Sequence, residues 1–180
     1  NFNAGCESEL MNSIQLNVDF FIKHTKDMIY AKPLPPSGGV PTWVWNNEID
    51  MKNTGVEVDL NFNILKKQQL KWDIALNATT YRNELTRLPS DKDSKGYVAG
   101  SYWRKIGGSL YDFYLYDYAG PDPATGQPRW YTKDESGAKV TTTTYGEADQ
   151  YETGKSSIPD FYGGLSTNLE VYGFDFSVQT

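Results

Sequence analysis

The feature that most constrains this 180-residue chain is a strict two-residue alternation of apolar and polar side chains. Between Val56 and Ile64 every second residue is apolar, and the residues between them are Glu, Asp or Asn. This period places the two kinds of side chain on opposite faces of a β-strand. The run from Leu70 to Thr80 alternates in the same way, and only a short polar segment, 65–69, separates the two runs. The pattern therefore predicts a β-hairpin with one apolar face and one polar face.

The same pattern predicts two further hairpins. A strand that begins at Ile14 and continues toward Ile29 follows a weaker strand over Phe2 to Glu9. Later, alternation from Gly163 to Val171 is followed by a turn and a second alternating run, Phe174 to Val178. We therefore expect an all-β chain of antiparallel hairpins with about six strands.

The connections between these strands are very unequal in length. Short turns are expected at about 10–13, 65–69 and 171–173, and long loops at about 31–49 and 87–159. Short turns on one side and long loops on the other are typical of transmembrane β-barrels of outer membranes. In such a barrel the apolar face contacts lipid and the polar face lines a watery lumen. The short turns would then be periplasmic, and the long loops extracellular.

A soluble β-sandwich or jelly roll also alternates and also uses hairpins. Phe62, Trp72 and Phe174 lie near the short turns, where the aromatic girdle of a barrel would lie, and this favours the barrel. The two folds differ in what covers the apolar stripe from Val56 to Ile64, which is lipid in a barrel and a second sheet in a sandwich. The alternative function is accordingly a soluble all-β carbohydrate-binding module.

Six strands are too few to close a membrane barrel, which needs about eight. The alternation is still running at Thr180. We therefore expect residues 1–180 to be part of one β-barrel domain within a longer polypeptide.

Composition excludes several other classes of function. With 23 acidic and 17 scattered basic residues the net charge is −6, which offers no footprint for nucleic acid. Cys6 and His24 are the only residues of their types, so neither a disulfide scaffold nor a zinc cluster is expected. The acidic group Glu147, Asp149 and Glu152 is interpreted as a solvated loop rather than a calcium site. No nucleophile, base and metal ligand converge, so we expect no enzyme, no cofactor and no metal.

Several strings, in this order and spacing, resemble the C-terminal part of the barrel in the SusC/RagA family of TonB-dependent outer-membrane transporters. Pro121 departs from that pattern, because the family more often has a small aliphatic residue there. The strings are Asn53-Thr54-Gly55-Val56-Glu57, Arg82-Asn83-Glu84, the segment from Tyr116 to Trp130, the segment from Ile158 to Leu165, and the segment from Tyr172 to Ser177.

The resemblance implies a 22-stranded barrel with a plugged lumen in the bacterial outer membrane. It also implies import of an oligosaccharide or peptide together with a SusD-like surface lipoprotein. The plug domain, the segment that contacts TonB and the ends of the barrel are not matched by any part of this chain. Such a protein would act by binding its substrate and by gating, driven by energy from the inner membrane, and it would not make or break covalent bonds.

Aromatic residues are concentrated in the two expected long loops. Exposed loops seldom carry so many rings unless the rings bury each other or meet a partner. Rings stack on the apolar face of a sugar or on a peptide side chain, while nearby polar groups bond its edges. The alternatives are that the rings form a small core of the loop itself, or the interface with the lipoprotein. The ligand- or partner-binding candidates are Trp43, Trp45, Trp103, Tyr114, Tyr116, Tyr118 and Trp130.

Overall fold

The computed structural model of the chain describes residues 1–34, 37, 43–92 and 95–180. The strands in this part of the chain are numbered β1 to β13 in chain order. The chain divides into two compact units, one formed by Asn1–Arg87 with Pro159–Thr180 and the other by Leu88–Ile158. The all-β class expected from the alternation is confirmed.

The first unit contains a six-stranded antiparallel sheet. Its strands are β1 (Phe2–Leu10), β2 (Ile14–Pro33), β3 (Trp43–Lys67), β4 (Leu70–Arg87), β12 (Tyr162–Val171) and β13 (Phe174–Gln179). They lie in the order β1-β2-β3-β4-β12-β13. The three hairpins expected from the sequence are therefore present, and they are hydrogen-bonded to one another as neighbours in a single sheet.

The register of this sheet separates apolar and polar side chains by face. Directly paired positions form rows that cross several strands, and successive rows point to opposite faces. A row of leucines therefore alternates with a largely polar row. The leucine row is Leu16, Leu60, Leu76 and Leu165, and the next row is Gln15, Asn61, Ala75 and Ser166.

The apolar face of the sheet is not buried. Among the residues that the structure describes, the buried hydrophobic side chains are Ile49, Leu85 and Leu110. The stripe from Val56 to Ile64 contains no buried apolar side chain, and Phe62 is 37% exposed. A sandwich would cover this stripe with a second sheet. In the first unit the stripe thus belongs to a single layer, as expected of part of an open barrel wall.

The β2–β3 hairpin extends into the segment that was expected to be the first long loop, 31–49. β2 ends at Pro33 and β3 begins at Trp43, while residues 35, 36 and 38–42 of this segment lie outside the described residues. The pairing of β2 with β3 shifts twice between Thr25 and Tyr30, with an extra residue first in β2, between Thr25 and Met28, and then in β3, between Asn46 and Ile49. Since a bulge resets the two-residue period, the strand continues where the alternation in the sequence fades.

Two short turns of the sheet have the backbone expected of tight hairpins. Met11 and Asn12 have φ of +54° and +52°, and Tyr172 and Gly173 have φ of +48° and +84°. Positive φ at both central residues is the mark of the type I′ turn, whose twist matches that of paired strands. These turns explain the short connections on one side of the sheet.

The second unit folds the expected long loop 87–159 into two small sheets of its own. Leu110 and Pro89 are buried in it, and the Tyr102 ring lies 5.6 Å from that of Tyr111 and 5.7 Å from that of Phe113. One sheet has the order β11-β7-β6-β5 and the other the order β10-β9-β8. The strands are β5 (Tyr97–Ala99), β6 (Tyr102–Arg104), β7 (Asp112–Tyr116), β8 (Tyr118–Pro121), β9 (Pro128–Lys133), β10 (Lys139–Thr142) and β11 (Gln150–Ser156).

No helix among the described residues is long and apolar enough to cross a bilayer. A single 3-10 turn, Tyr145–Glu147, lies in the second unit.

Candidate functional site

Four aromatic side chains of the second unit form a continuous cluster, here called the ring cluster: Tyr116, Tyr118, Trp130 and Tyr145. The centroid of the Tyr145 ring lies 4.6 Å from that of Tyr116 and 5.2 Å from that of Trp130. The Tyr118 and Trp130 centroids are 6.2 Å apart. All three separations lie within the range of favourable aromatic pairs.

The ring cluster is open to solvent. Tyr116 is 38% exposed, Tyr118 56% and Tyr145 53%, and Trp130 is half-buried. The planes of neighbouring rings are inclined by 51° to 75°, so the cluster presents edges and faces in several directions. Exposed rings in contact with one another form an apolar surface that fits an aromatic, aliphatic or sugar-ring partner.

Backbone pairing brings the ring cluster together. Tyr118 of β8 and Trp130 of β9 are directly opposite each other, and Tyr116 is the last residue of β7. Tyr145 is placed by hydrogen bonds to its own turn. The hydroxyl of Thr132 donates to the carbonyl oxygen of Glu147 at 2.7 Å, and the hydroxyl of Thr142 donates to the Glu147 carboxylate at 3.0 Å.

A tight turn joins β8 to β9 and keeps Tyr118 opposite Trp130. Asp122 Oδ1 accepts hydrogen bonds from the backbone N–H groups of Ala124 and Thr125, each at 2.9 Å. Gly126, with φ of +72°, donates its N–H to the carbonyl oxygen of Asp122 at 2.8 Å. The N–H donors of Thr125 and Ala124 stabilise the ionised carboxylate, so they lower the pKa of Asp122 below its ordinary value.

A cleft of about 390 Å³ adjoins the ring cluster. Tyr116 belongs to both, so a ligand seated on the rings would reach into the cleft. The cleft is lined by Leu115, Tyr116, Asp117, Lys139, Tyr151, Glu152 and Thr153.

Lys139 lies in this cleft between a carboxylate and two rings, and Lys133 Nζ also lies over one of these rings, 5.7 Å from the centroid of Tyr151. Lys139 Nζ is 2.7 Å from Asp117 Oδ2, 3.9 Å from the Tyr131 ring centroid and 5.1 Å from that of Tyr151. The hydrogen bond to Asp117 raises the pKa of Lys139. Burial of its hydroxyl raises the pKa of Tyr151. The lysine is therefore a cation and the tyrosine is neutral at pH 7.

A family model described as TonB dependent receptor-like, beta-barrel matches residues 1–149. The chain belongs to this family. It is 24% identical over 196 residues to the TonB-dependent receptor SusC of Bacteroides thetaiotaomicron, covering 98% of this chain and 18% of SusC. It is 22% identical over 182 residues to the TonB-dependent receptor P3 of Formosa agariphila, covering 93% of this chain and 18% of that receptor. This chain thus spans less than a fifth of the length of either relative.

Solved structures of a peptide importer, RagAB, match this chain over nearly its whole length. In the closed-closed state the TM-score is 0.80 at 29% identity, with 98% of this chain and 20% of that chain covered. In the open-open state the TM-score is 0.74 at 25% identity, with 93% and 18% covered. The resemblance to the SusC/RagA family that the sequence strings indicated is confirmed.

In this barrel segment the structure brings together three of the seven candidate residues, Tyr116, Tyr118 and Trp130. Trp103 and Tyr114 pair with each other at 5.2 Å, and both are half-buried. Trp103 also packs on Gly96, where a Cβ atom would lie 3.0 Å from its ring. These two rings therefore contribute to the packing of the second unit.

The remaining two candidates, Trp43 and Trp45, pair with each other at the start of β3 in the first unit. Their ring centroids are 4.8 Å apart in an edge-to-face arrangement, and they are 43% and 64% exposed. Since they are two residues apart on a strand, they share one face of the β2–β3 hairpin.

Tyr145 is the member of the ring cluster that the sequence candidates do not include. It follows four consecutive threonines and lies 15 positions after Trp130, without any period that links the two. Only the 3-10 turn and its bonds to Thr132 and Thr142 bring it to the other rings.

The acidic group Glu147, Asp149 and Glu152 makes contacts within the second unit. Asp149 accepts the backbone N–H of Lys133 at 2.8 Å, and Glu152 pairs with Lys105 at 2.5 Å. In the part of the chain that the structure describes, no three His, Cys, Asp or Glu side chains are grouped so as to hold a metal ion.

Proposed function

We propose that this chain is part of an outer-membrane transporter that imports a bulky nutrient, an oligosaccharide or a peptide, with energy delivered through TonB. Membership of the TonB-dependent receptor-like barrel family supports this proposal, as does the similarity to SusC and to the RagAB peptide importer. The sheet supports it independently, because its unburied apolar face suits outer-membrane lipid and its polar face suits a lumen.

In this proposal residues 1–180 form part of a single barrel domain, with 31–49 and 87–159 on the extracellular side. The relatives are about five times longer than this chain. The plug domain and the segment that contacts TonB would therefore lie elsewhere in the polypeptide. The protein acts by binding and gating, and it is not an enzyme.

The ring cluster is the observation that carries the proposed binding role. It is exposed, it adjoins a cleft, and it lies in the second unit, which is formed by the segment expected to be the second long loop. Its apolar surface would contact the substrate or a SusD-like surface lipoprotein, which is the partner proposed for this transporter. Hydrogen bonds from the polar cleft residues would fix the orientation of a bound ligand.

The test is a double variant, Trp130→Ala with Tyr145→Ala, in the full-length protein. One ring stacked on a ligand contributes on the order of 1 kcal/mol, so each single change should weaken uptake several-fold. The double variant should weaken it by about tenfold or more. The measurement is growth on a peptide mixture or on a polysaccharide digest as limiting nutrient, together with pull-down of the surface lipoprotein.

The matched control is Tyr111→Ala, since Tyr111 is 41% exposed in the same unit and lies outside the ring cluster. Correct insertion of each variant is checked by its yield in the outer-membrane fraction. If the double variant inserts normally and grows and binds like the wild type, the ring cluster is not part of the site.

A further inference from the structure

The ammonium of Lys139 sits where three elements of the second unit converge. Asp117 lies between β7 and β8, Tyr131 is on β9, and Tyr151 is on β11. The carboxylate is 2.7 Å from the ammonium, and the two ring centroids are 3.9 Å and 5.1 Å from it. These three residues, Asp117, Tyr131 and Tyr151, are called the cation box.

We propose that the cation box is a binding site for a primary ammonium group of the substrate, and that Lys139 occupies it as an internal stand-in which the substrate displaces. This inference rests on the transport function proposed above. It assigns the substrate to one class, peptides that carry a lysine side chain or a free amino terminus.

The chemistry of the cation box selects for positive charge. A carboxylate forms its strongest hydrogen bonds with charged donors, and the face of a tyrosine ring attracts a cation electrostatically. A sugar hydroxyl is neutral, so it gains neither the ion pair nor the cation–π attraction. A neutral oligosaccharide would therefore have no advantage over Lys139 in this position.

Lys139 is placed so that it can leave the cation box at low cost. Its side chain is 50% exposed and that of Asp117 is 46% exposed. Ion pairs this exposed contribute little to stability. Lys139 is also the first residue of β10, a four-residue strand at the edge of its sheet, so the side chain can swing outward without disturbing a central strand.

The cation box opens on the same cleft as the ring cluster. Asp117, Lys139 and Tyr151 line this cleft together with Tyr116, which also contacts Tyr145. A peptide whose ammonium group enters the cation box would therefore lay a neighbouring side chain against Tyr116. The cation box and the ring cluster would then bind two chemically different parts of one ligand.

The test uses two blocked tetrapeptides of identical sequence, one with a central lysine and the other with Nε-acetyl-lysine. Binding of each to the purified full-length transporter is measured by calorimetry. Lys139→Met removes this ammonium from the cation box and keeps an apolar stem, so it should tighten binding of the lysine peptide several-fold, as expected of a half-exposed ion-pair and cation–π site. Binding of the acetyl-lysine peptide should not change.

Two control variants separate the cation box from a general effect on folding. Lys139→Arg keeps a cation in the box and should bind both peptides as the wild type does. Adding Asp117→Asn to Lys139→Met should remove the gain for the lysine peptide. Equal binding of both peptides by Lys139→Met, or a gain that survives Asp117→Asn, would overturn the proposal.

A second measurement needs no variant. A saturating amount of the lysine peptide should release Lys139 and raise its rate of modification by an amine-reactive reagent several-fold, read by mass spectrometry, while the acetyl-lysine peptide should not. An unchanged rate refutes displacement. If neither peptide binds but growth on the polysaccharide digest still depends on the ring cluster, the assignment to cationic peptides fails and the proposed transport function stands.

Discussion

Gly55 shows how a single residue shapes the barrel wall. It lies directly between Phe21 of β2 and Tyr81 of β4. A Cβ atom at Gly55 would lie 2.6 Å from the Phe21 ring and 2.6 Å from the carbonyl oxygen of Thr80. Only glycine leaves room here for the Phe21 ring and for the Cβ atom of Tyr81. Close packing therefore explains why the string Asn53-Thr54-Gly55-Val56-Glu57 has a glycine at its centre.

Asp122 should make the β8–β9 turn sensitive to acid. Its folded pKa is lowered by the N–H donors of Thr125 and Ala124, whereas an unfolded Asp titrates at about 3.9. The stabilisation is therefore fully present above pH of about 4 and is lost as the pH falls through the lower, folded pKa. We expect the amides of Ala124 and Thr125 to lose protection against hydrogen exchange below this range, after correction for the intrinsic exchange rate.

Asp122→Asn is the matched control for this titration. Its amide oxygen can still accept the two backbone hydrogen bonds, but it carries no proton equilibrium in this range. Protection of Ala124 and Thr125 in this variant should not depend on pH between 2 and 6. If the wild type shows the same flat profile, the Asp122 carboxylate does not hold the turn.

At the level of strands, the two faces of β3 should respond oppositely to the same substitution. Leu60 lies in the leucine row, and Asn61 lies in the polar row. An arginine on the lipid face of a membrane strand costs roughly 2–4 kcal/mol at mid-membrane, whereas the lumen tolerates one. Leu60→Arg should therefore reduce the yield of assembled full-length barrel, and Asn61→Arg should not. Heat-modifiable migration of the outer-membrane fraction measures this yield.

The Asn61→Arg variant is its own control, because both changes introduce the same side chain at neighbouring positions of one strand. Equal assembly of the two variants would mean that the faces are not divided between lipid and water. Failure of Asn61→Arg alone would reverse the assignment of the faces.

The sheet could be predicted from the sequence because apolar and polar residues alternate within each of its strands, and this shows which face is apolar. The alternation in Val56–Ile64 and Leu70–Thr80 is local, and it defines both the strand and its partner. The turn between them, expected over 65–69, is shorter in the structure, because pairing continues to Lys67 and Leu70. The extension of β2 and β3 could not be predicted, since the bulges between Thr25 and Tyr30 break the period. The seven short strands of the second unit could not be predicted in this way, since the longer ones, such as Asp112–Tyr116 and Gln150–Ser156, do not alternate apolar and polar residues.

The candidate site was only partly predictable, for a related reason. Tyr116, Tyr118 and Trp130 attract attention as rings in a segment expected to be exposed. Tyr145 and the cation box depend on contacts between residues far apart in the chain, such as the pairing of Lys139 with Asp117 across 22 positions. A single sequence records composition and local period, but it does not record which distant side chains meet.

For the whole molecule, the asymmetry of the connections predicts one orientation in the membrane. Lys67 is exposed at the end of β3, beside a short turn, and Thr143 is exposed in the second unit. We expect Thr143→Cys to react with a membrane-impermeant maleimide on intact cells and Lys67→Cys to remain unlabelled, because the short turns of outer-membrane barrels are periplasmic.

Both variants carry Cys6→Ser, which removes the exposed native thiol of this segment. Both sites should label after the outer membrane is permeabilised, which shows that each thiol is reactive. Labelling of Lys67→Cys alone on intact cells would invert the orientation, and labelling of both would mean that the sheet does not separate two compartments.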